Sequence, residues 1–318
     1  MNDLFFEPKT KQYGSHMIMS NVHKSSKNKY VNVDTRFRDE YNYSQLANYN
    51  ITIPERICDV KSMKVVSAEI PISFYNISLA LGNSYFSITD TTSTPFTKII
   101  TIPDGQYTTI TLSGQINKMI TAQYYTVGTP NTTNLEYDLS GCVGGTDASG
   151  TSSYFITKNS KKATINFAIN ADGTYDKFNF KSKLGWLLGF RQPSYNLGAS
   201  SPLNFAQSEA MLDINGPRYL YLAIDEFNNG NQSSFIPPLH SSLVNKNIIA
   251  RIPLFKVGGY VFGQTLSLQQ YTGLLSDVRS YTGKIDLLKL NVQLLNENGI
   301  VMNLNGMDFS FCLEVIHE

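Results

Sequence analysis

Alternation with a period of two dominates this chain. Ala163, Ile165, Phe167 and Ile169 fall on one side of an extended backbone, with Thr164, Asn166, Ala168 and Asn170 on the other. Ile248, Ala250, Ile252 and Leu254 alternate in the same way with Ile249, Arg251 and Pro253. Successive side chains of a strand point to opposite faces, so this spacing predicts half-buried β-strands. Leu288, Leu290, Val292 and Leu294 face away from Lys289, Asn291 and Gln293. The turn "NENG" at 296–299 then leads toward Phe309, Phe311, Leu313 and Val315, which predicts a C-terminal antiparallel pair with one buried face. Further strands are predicted at 30–35, 48–53, 60–70, 84–89, 97–102, 135–139, 154–157, 209–213, 218–225 and 259–268. "VKSMKVVSAEI" at 60–70 breaks the alternation, which places a bulge near Val65 and Val66.

Two short stretches follow the helical period. "TLSGQINKMITA" offers Ser113 as N-cap with Ile116, Met119 and Ile120 on one face. "KSKLGWLLGF" offers Ser182 as cap, Leu184, Leu187 and Leu188 on one face and Gly189 as the stop. They bracket a stretch that reads strand, helix, two or three strands, helix, with the Gly- and Ser-rich "SGCVGGTDASGTSS" at 140–153 inside it. The prediction is therefore a mainly antiparallel, all-β jelly-roll sandwich with a small α+β insertion. Its parts are an extended N-terminal arm at 1–29, a jelly roll at 30–97 and 201–318, and the inserted subdomain at 98–200.

Composition narrows the function classes. The 318 residues are 42% hydrophobic, enough for a real core, yet only 16% are charged, so the surface is polar more than ionic. Formal charge is +1, but the arm carries Lys9, Lys11, Lys24, Lys27 and Lys29 against Asp3 and Glu7, a local +3. That charge would suit nucleic acid, an anionic membrane, an acidic protein surface or simple solvation. Cys58, Cys142 and Cys312 are odd in number and widely spaced, against a disulfide framework or a zinc site and in favour of a reducing compartment. The sequons at Asn50, Asn76, Asn131 and Asn231 then read as chance matches in an Asn-rich chain. No run approaches the length of a membrane span.

Catalysis needs convergent groups, and the sequence offers few. His16, His23, His240 and His317 are scattered, and no HExxH, GxSxG or Walker loop is present. No catalytic residue, cofactor or metal is assigned. "VNVDTRFRDE" could make Asp34, Asp39 and Glu40 a hard-cation site, but such loops need closer, regular acids and a turn glycine. Ion pairs and turn hydrogen bonds at the end of the first strand explain the same residues. Asp225 and Glu226 read in the same way. Trp186, flanked by Leu187, Leu188 and Phe190, is either a ligand-stacking platform or a ring packed on a sheet. Tyrosines cluster near predicted strands, as interfaces favour, although stacking on sugars would use them too.

The stretch "YVNVDTRFRDEYNYSQLANYNITIPERICDVKSMKVVSAEIPISFYNIS", then "IPDGQYTTITLSGQINKMI", "KATINFAI" and "KLGWLLGF", and finally "YLYLAIDEF" and "NGMDFSFCLEV" form one series along the chain. Taken whole, that series resembles structural proteins of nucleocytoplasmic large DNA viruses. The resemblance spans about 30–318 and consists of structural patterns. It implies a non-enzymatic capsid component, made in the host cytoplasm and located in the virion capsid, built on a single jelly roll of the vertex (penton) or minor capsid kind. The vertex is the preferred expectation, because one jelly roll with an outer insertion suits a homopentamer. Implied partners are copies of itself, the major capsid protein and other minor capsid proteins, with the arm reaching a neighbour or the inner membrane and no specific nucleic acid. Arg36, Arg38 and Tyr41 near the arm, and Tyr271, Arg279 and Tyr281 in the late loop, are the expected interface residues. A glycan- or receptor-binding module, and a hydrolase using Asp34, Asp39, Asp225 and Glu226, are the alternatives.

Overall fold

A computed structural model of the chain describes residues 25–39, 47–91, 96–124, 135–138, 153–157, 162–198, 204–227, 247–254, 261–270 and 272–318. Most of the arm, Tyr41, Glu40, Cys142 and Tyr271 lie outside these residues. The fold is mainly antiparallel β, and its largest part is a curled sandwich of the jelly-roll kind.

That sandwich is one sheet of eight strands. Five of them are β1 (Lys27–Asp34), β2 (Asn48–Pro71), β10 (Tyr219–Asp225), β11 (Ile248–Pro253) and β12 (Thr265–Gln269). The others are β13 (Leu275–Ser276), β14 (Arg279–Leu295) and β15 (Ser310–His317). The order is β1-β15-β2-β14-β10-β11-β13, with β12 paired to β2. β2 organises it: β15 runs along one of its edges, while β14 and then β12 run along the other. The sheet curls until its terminal strand β13 reaches back to β2, where the Val65 backbone N–H donates to Ser276 Oγ at 3.0 Å. Inside the curl lies a core fed by every long strand, among them Ile51, Val65, Leu222, Ile252, Leu290 and Leu313.

The phase breaks of β2 explain its irregular pattern. Tyr49, Ile51 and Ile53 point inward, as do Met63 and Val65, but then Ala68 and Ile70 do. Between Ser67 and Val65 the pairing with Cys312 and Leu313 slips by one, so Val66 is the extra residue and the inward face changes parity. The bulge expected near Val65 and Val66 is there. The C-terminal pair is not, because β14 and β15 are separated by β2 and each pairs with it. The "NENG" turn does form, with Gly299 at φ 78, the Asn296 N–H donating to the Ile300 carbonyl and the Ile300 N–H donating to Asn296 Oδ1, but it leads to a short return through Val301.

A second core gathers the strands and helices of the middle of the chain. One small sheet has the order β4-β3-β7-β8, made of β3 (Tyr85–Asp90), β4 (Phe96–Thr101), β7 (Ala163–Asn166) and β8 (Ser194–Leu197). Another joins β5 (Leu135–Asp138), β6 (Tyr154–Thr157) and β9 (Phe205–Gln207). Helices α1 (Thr109–Tyr124) and α2 (Leu184–Leu187) cover them, α1 burying Leu112, Ile116 and Ile120 at helical spacing. Phe86, Phe155, Phe167 and Phe190 pack at the centre, with ring centroids 5.0 to 6.0 Å apart. β3, placed in the sandwich by the sequence, pairs instead with β4 and β7, and Ile77 and Ile214 at the two crossings also belong here.

Local capping differs from expectation at both helices. α1 begins at Thr109, four residues before Ser113, because Thr108 and Thr111 exchange hydroxyl and backbone bonds at the entry. Ser182 ends a 3-10 turn, its hydroxyl donating to the Asn179 carbonyl, and the cap position is Lys183. Gly189 does stop α2, at φ +90. Residues 209–213 are not a strand, because their N–H groups bond the end of α2: Ala210 donates to the Gly189 carbonyl and Asp213 to that of Leu187.

Candidate assembly surface

The end of β1 carries a connected set of ion pairs and hydrogen bonds on the outside of the sandwich. Asp34 caps the 3-10 turn Thr35–Phe37, its carboxylate accepting from the Arg36 backbone N–H at 2.9 Å and from the Arg36 Nη2 at 2.6 Å. The hydrogen bonds from Arg36 hold the Asp34 carboxyl below the usual carboxylate range. Thr35 is fully buried: its N–H donates to the Phe309 carbonyl at 3.0 Å and its hydroxyl accepts from the Phe309 N–H at 3.0 Å. Arg38 runs beneath, 4.4 Å from the Tyr49 ring centroid, and donates to Asp308 at 2.6 Å and to the Thr35 carbonyl at 3.0 Å.

A backbone clamped this way presents what it does not bury. Phe37 is 75% exposed, and the Arg36 guanidinium lies 5.8 Å from its ring centroid. Met307 stands exposed beside a hollow of about 310 Å³ whose walls include Arg36, Glu69 and Thr265. An exposed aromatic and an arginine on a rigid turn are the residue types that dominate binding energy at protein interfaces. β1 itself is an edge of the large sheet, with Tyr30 exposed and Lys27 and Lys29 along it. Lysines on an edge blunt indiscriminate strand pairing.

The six expected interface residues separate. Arg36 lies on this surface, and Arg38 supports it from inside. Arg279 is turned inward: its Nη1 donates to Glu226 and to the Ile224 carbonyl, both at 2.8 Å, and its Nη2 to the Asn247 carbonyl. Tyr281 packs against the sandwich core beside this pair, and burial pushes its phenol above the ordinary range, with Glu226 adding to the effect. Phe37 and Met307 were missed, since alternation cannot tell an exposed phenylalanine from a buried one.

The hydrolase acids do not form one cleft. Asp34 belongs to Arg36, Asp39 to Thr52 and Lys289, and Glu226 to Arg279, while Asp225 accepts from the Phe227 N–H. Among the described residues no three His, Cys, Asp or Glu side chains gather as metal ligands would, and no helix is long and apolar enough to cross a membrane. Cys58 and Cys312 are free thiols. Asn76, one of the sequons, is buried, its amide donating to the carbonyls of Tyr107 and Ile214 at 2.8 Å.

Solved structures provide distant likenesses. The selenomethionine-labelled mavirus penton protein is similar over 92% of this chain and 99% of its own, at 7% identity and a TM-score of 0.44. A chain of the Sputnik virophage, from its cryo-EM structure, is similar over 91% of this chain and 98% of its own, at 12% identity and a TM-score of 0.43. No protein-family model and no curated protein matches the chain. Likenesses this weak carry no conclusion about function.

Proposed function

We propose that this chain is a structural subunit of a viral capsid, occupying the vertex as a homopentamer. The observation that carries the reading is the clamped turn Thr35–Phe37, which holds Arg36 and Phe37 outward at the end of an edge strand that follows a basic arm. The sequence resemblance to capsid proteins of large DNA viruses supports it. The arm shows no apolar periodicity in sequence, the pattern of a segment that packs on a partner. β1 begins at Lys27, inside the expected arm of 1–29, so in this reading it is the residues before β1 that reach an adjacent subunit, the major capsid protein or the membrane beneath. The sandwich forms the shell and the second core, from about Ile77 to Ile214, projects as a separate unit.

Replacing Arg36 and Phe37 together by serine tests it. Both side chains are exposed, so the melting curve should stay within about 0.5 kcal/mol of the parent in stability. Native mass spectrometry should show a five-subunit species for the parent chain and its loss in the double variant. A parent that is monomeric at every concentration removes the vertex assignment, and a pentamer untouched by the double change removes this surface from the interface.

A further inference from the structure

A cleft of about 360 Å³ lined by both charged and apolar groups opens between the two units, within the size range of small-ligand sites, roughly 300–1,000 Å³. One side comes from the segment around α2, with Lys181, Trp186 and Arg191; Asp213, Arg218 and Glu297 also line it. Trp186, the chain's single tryptophan, is half-buried, with Phe180 edge-on at 5.8 Å. The Arg191 guanidinium stacks on its ring at 4.0 Å, held there because Nη1 donates to the Trp186 and Phe190 carbonyls. Lys181 lies 5.9 Å from the same ring and makes no ion pair among the described residues. Arg218 links the two acids, its N–H donating to Glu297 at 3.2 Å and its Nη2 to Asp213 at 3.3 Å.

We propose that this cleft binds a carboxylate-bearing sugar. The proposal is independent of the assembly reading. An indole edge and a stacked guanidinium plane give a flat surface for the apolar face of a pyranose ring. Lys181 and the remaining Arg191 donors receive the carboxylate through charge-assisted hydrogen bonds. Asp213 and Glu297 keep lone pairs that accept sugar hydroxyls. The mixture of signs decides between ligand classes. A polyphosphate or heavily sulfated chain would meet Asp213 and Glu297 as like charges, whereas a hydroxyl-rich ring with one carboxylate uses both kinds of group. The floor is set in advance: Asn76 bridges Tyr107 and Ile214, and Asn83 donates to the Asn76 carbonyl at 2.8 Å.

The test is a titration of the full chain, followed by two-dimensional NMR or calorimetry, with N-acetylneuraminic acid and glucuronic acid against glucose, galactose and heparin. The acidic monosaccharides should saturate in the millimolar range, with the Trp186 indole resonance shifting. Lys181→Gln should weaken them about tenfold, and Lys181→Arg should keep binding. Trp186→Ala should abolish it; because that change could disturb α2, the exposed Lys181→Gln variant, checked by its unchanged melting curve, carries the decision. Equal affinity for neutral sugars, binding of heparin alone, or no response to either acidic sugar would overturn the proposal.

Discussion

Replacing Glu226 by alanine, or Arg279 by alanine, lowers the stability of the chain by about 3–5 kcal/mol, among the largest effects available to a single side chain here. The two side chains are 0% and 3% exposed and meet at 2.8 Å. Removing either leaves the other charge in an apolar surround with no water to replace its partner. Arg279 does more than balance Glu226, because it also satisfies the Ile224 and Asn247 carbonyls where β10 ends and β11 begins. The double change Glu226→Leu with Arg279→Met should therefore recover much of the loss, while retaining a cost of about 1–3 kcal/mol for the guanidinium bonds withdrawn from the two carbonyls, of which that of Asn247 keeps the Ile224 N–H at 3.0 Å. Denaturant unfolding of the three variants measures this directly. Single variants that cost under about 1 kcal/mol would mean that solvent reaches the pair and that it behaves as a surface ion pair.

Gly189→Ala removes about 3 kcal/mol or more, through two separate faults. At φ +90 an L-residue is strained whatever its neighbours, and a Cβ built there falls 2.1 Å from the Ala210 carbonyl oxygen. Ala210 cannot retreat without breaking its own bond, since its N–H donates to the Gly189 carbonyl at 3.0 Å. The change thus strikes the joint between α2 and residues 209–213, which closes the second core. Trp186 lies three residues away, so its fluorescence should report an earlier melting transition in the variant. A variant that melts with the parent would show that this joint relaxes freely.

Much of the β-architecture was legible because burial imposes parity: Leu290, Val292 and Leu294 alternate with Asn291 and Gln293, but Leu288, expected on the same face, is exposed and Leu287 is buried instead, where the pairing with β2 slips. Strand partners were not legible. β14 and β15 both show clean alternation, yet nothing local in either says that β2 lies between them, since any strand offers the same backbone groups to whichever neighbour the curl delivers. Chain position misled in the same way at β3, which lies beside the sandwich strands in sequence and among the second-core strands in space. Of the expected interface residues, Arg36 lies exposed against Asp34, whereas Arg279 is buried on Glu226. A charged residue at the start of a strand looks exposed unless its counter-ion is known, and Glu226 lies 53 positions earlier. Phe37 carried the opposite ambiguity, an apolar residue whose exposure depends on Thr35 and Arg38 anchoring the turn from below.

Locating this chain by cryo-EM in a purified particle is the most direct test of an assembly role. The account predicts density for it at the five-fold axes, with Arg36 and Phe37 buried against a neighbouring subunit and the basic arm running onto an adjacent protein or the inner membrane. A particle in which the chain is missing from the shell, or in which that turn faces open solvent at every position, would contradict it.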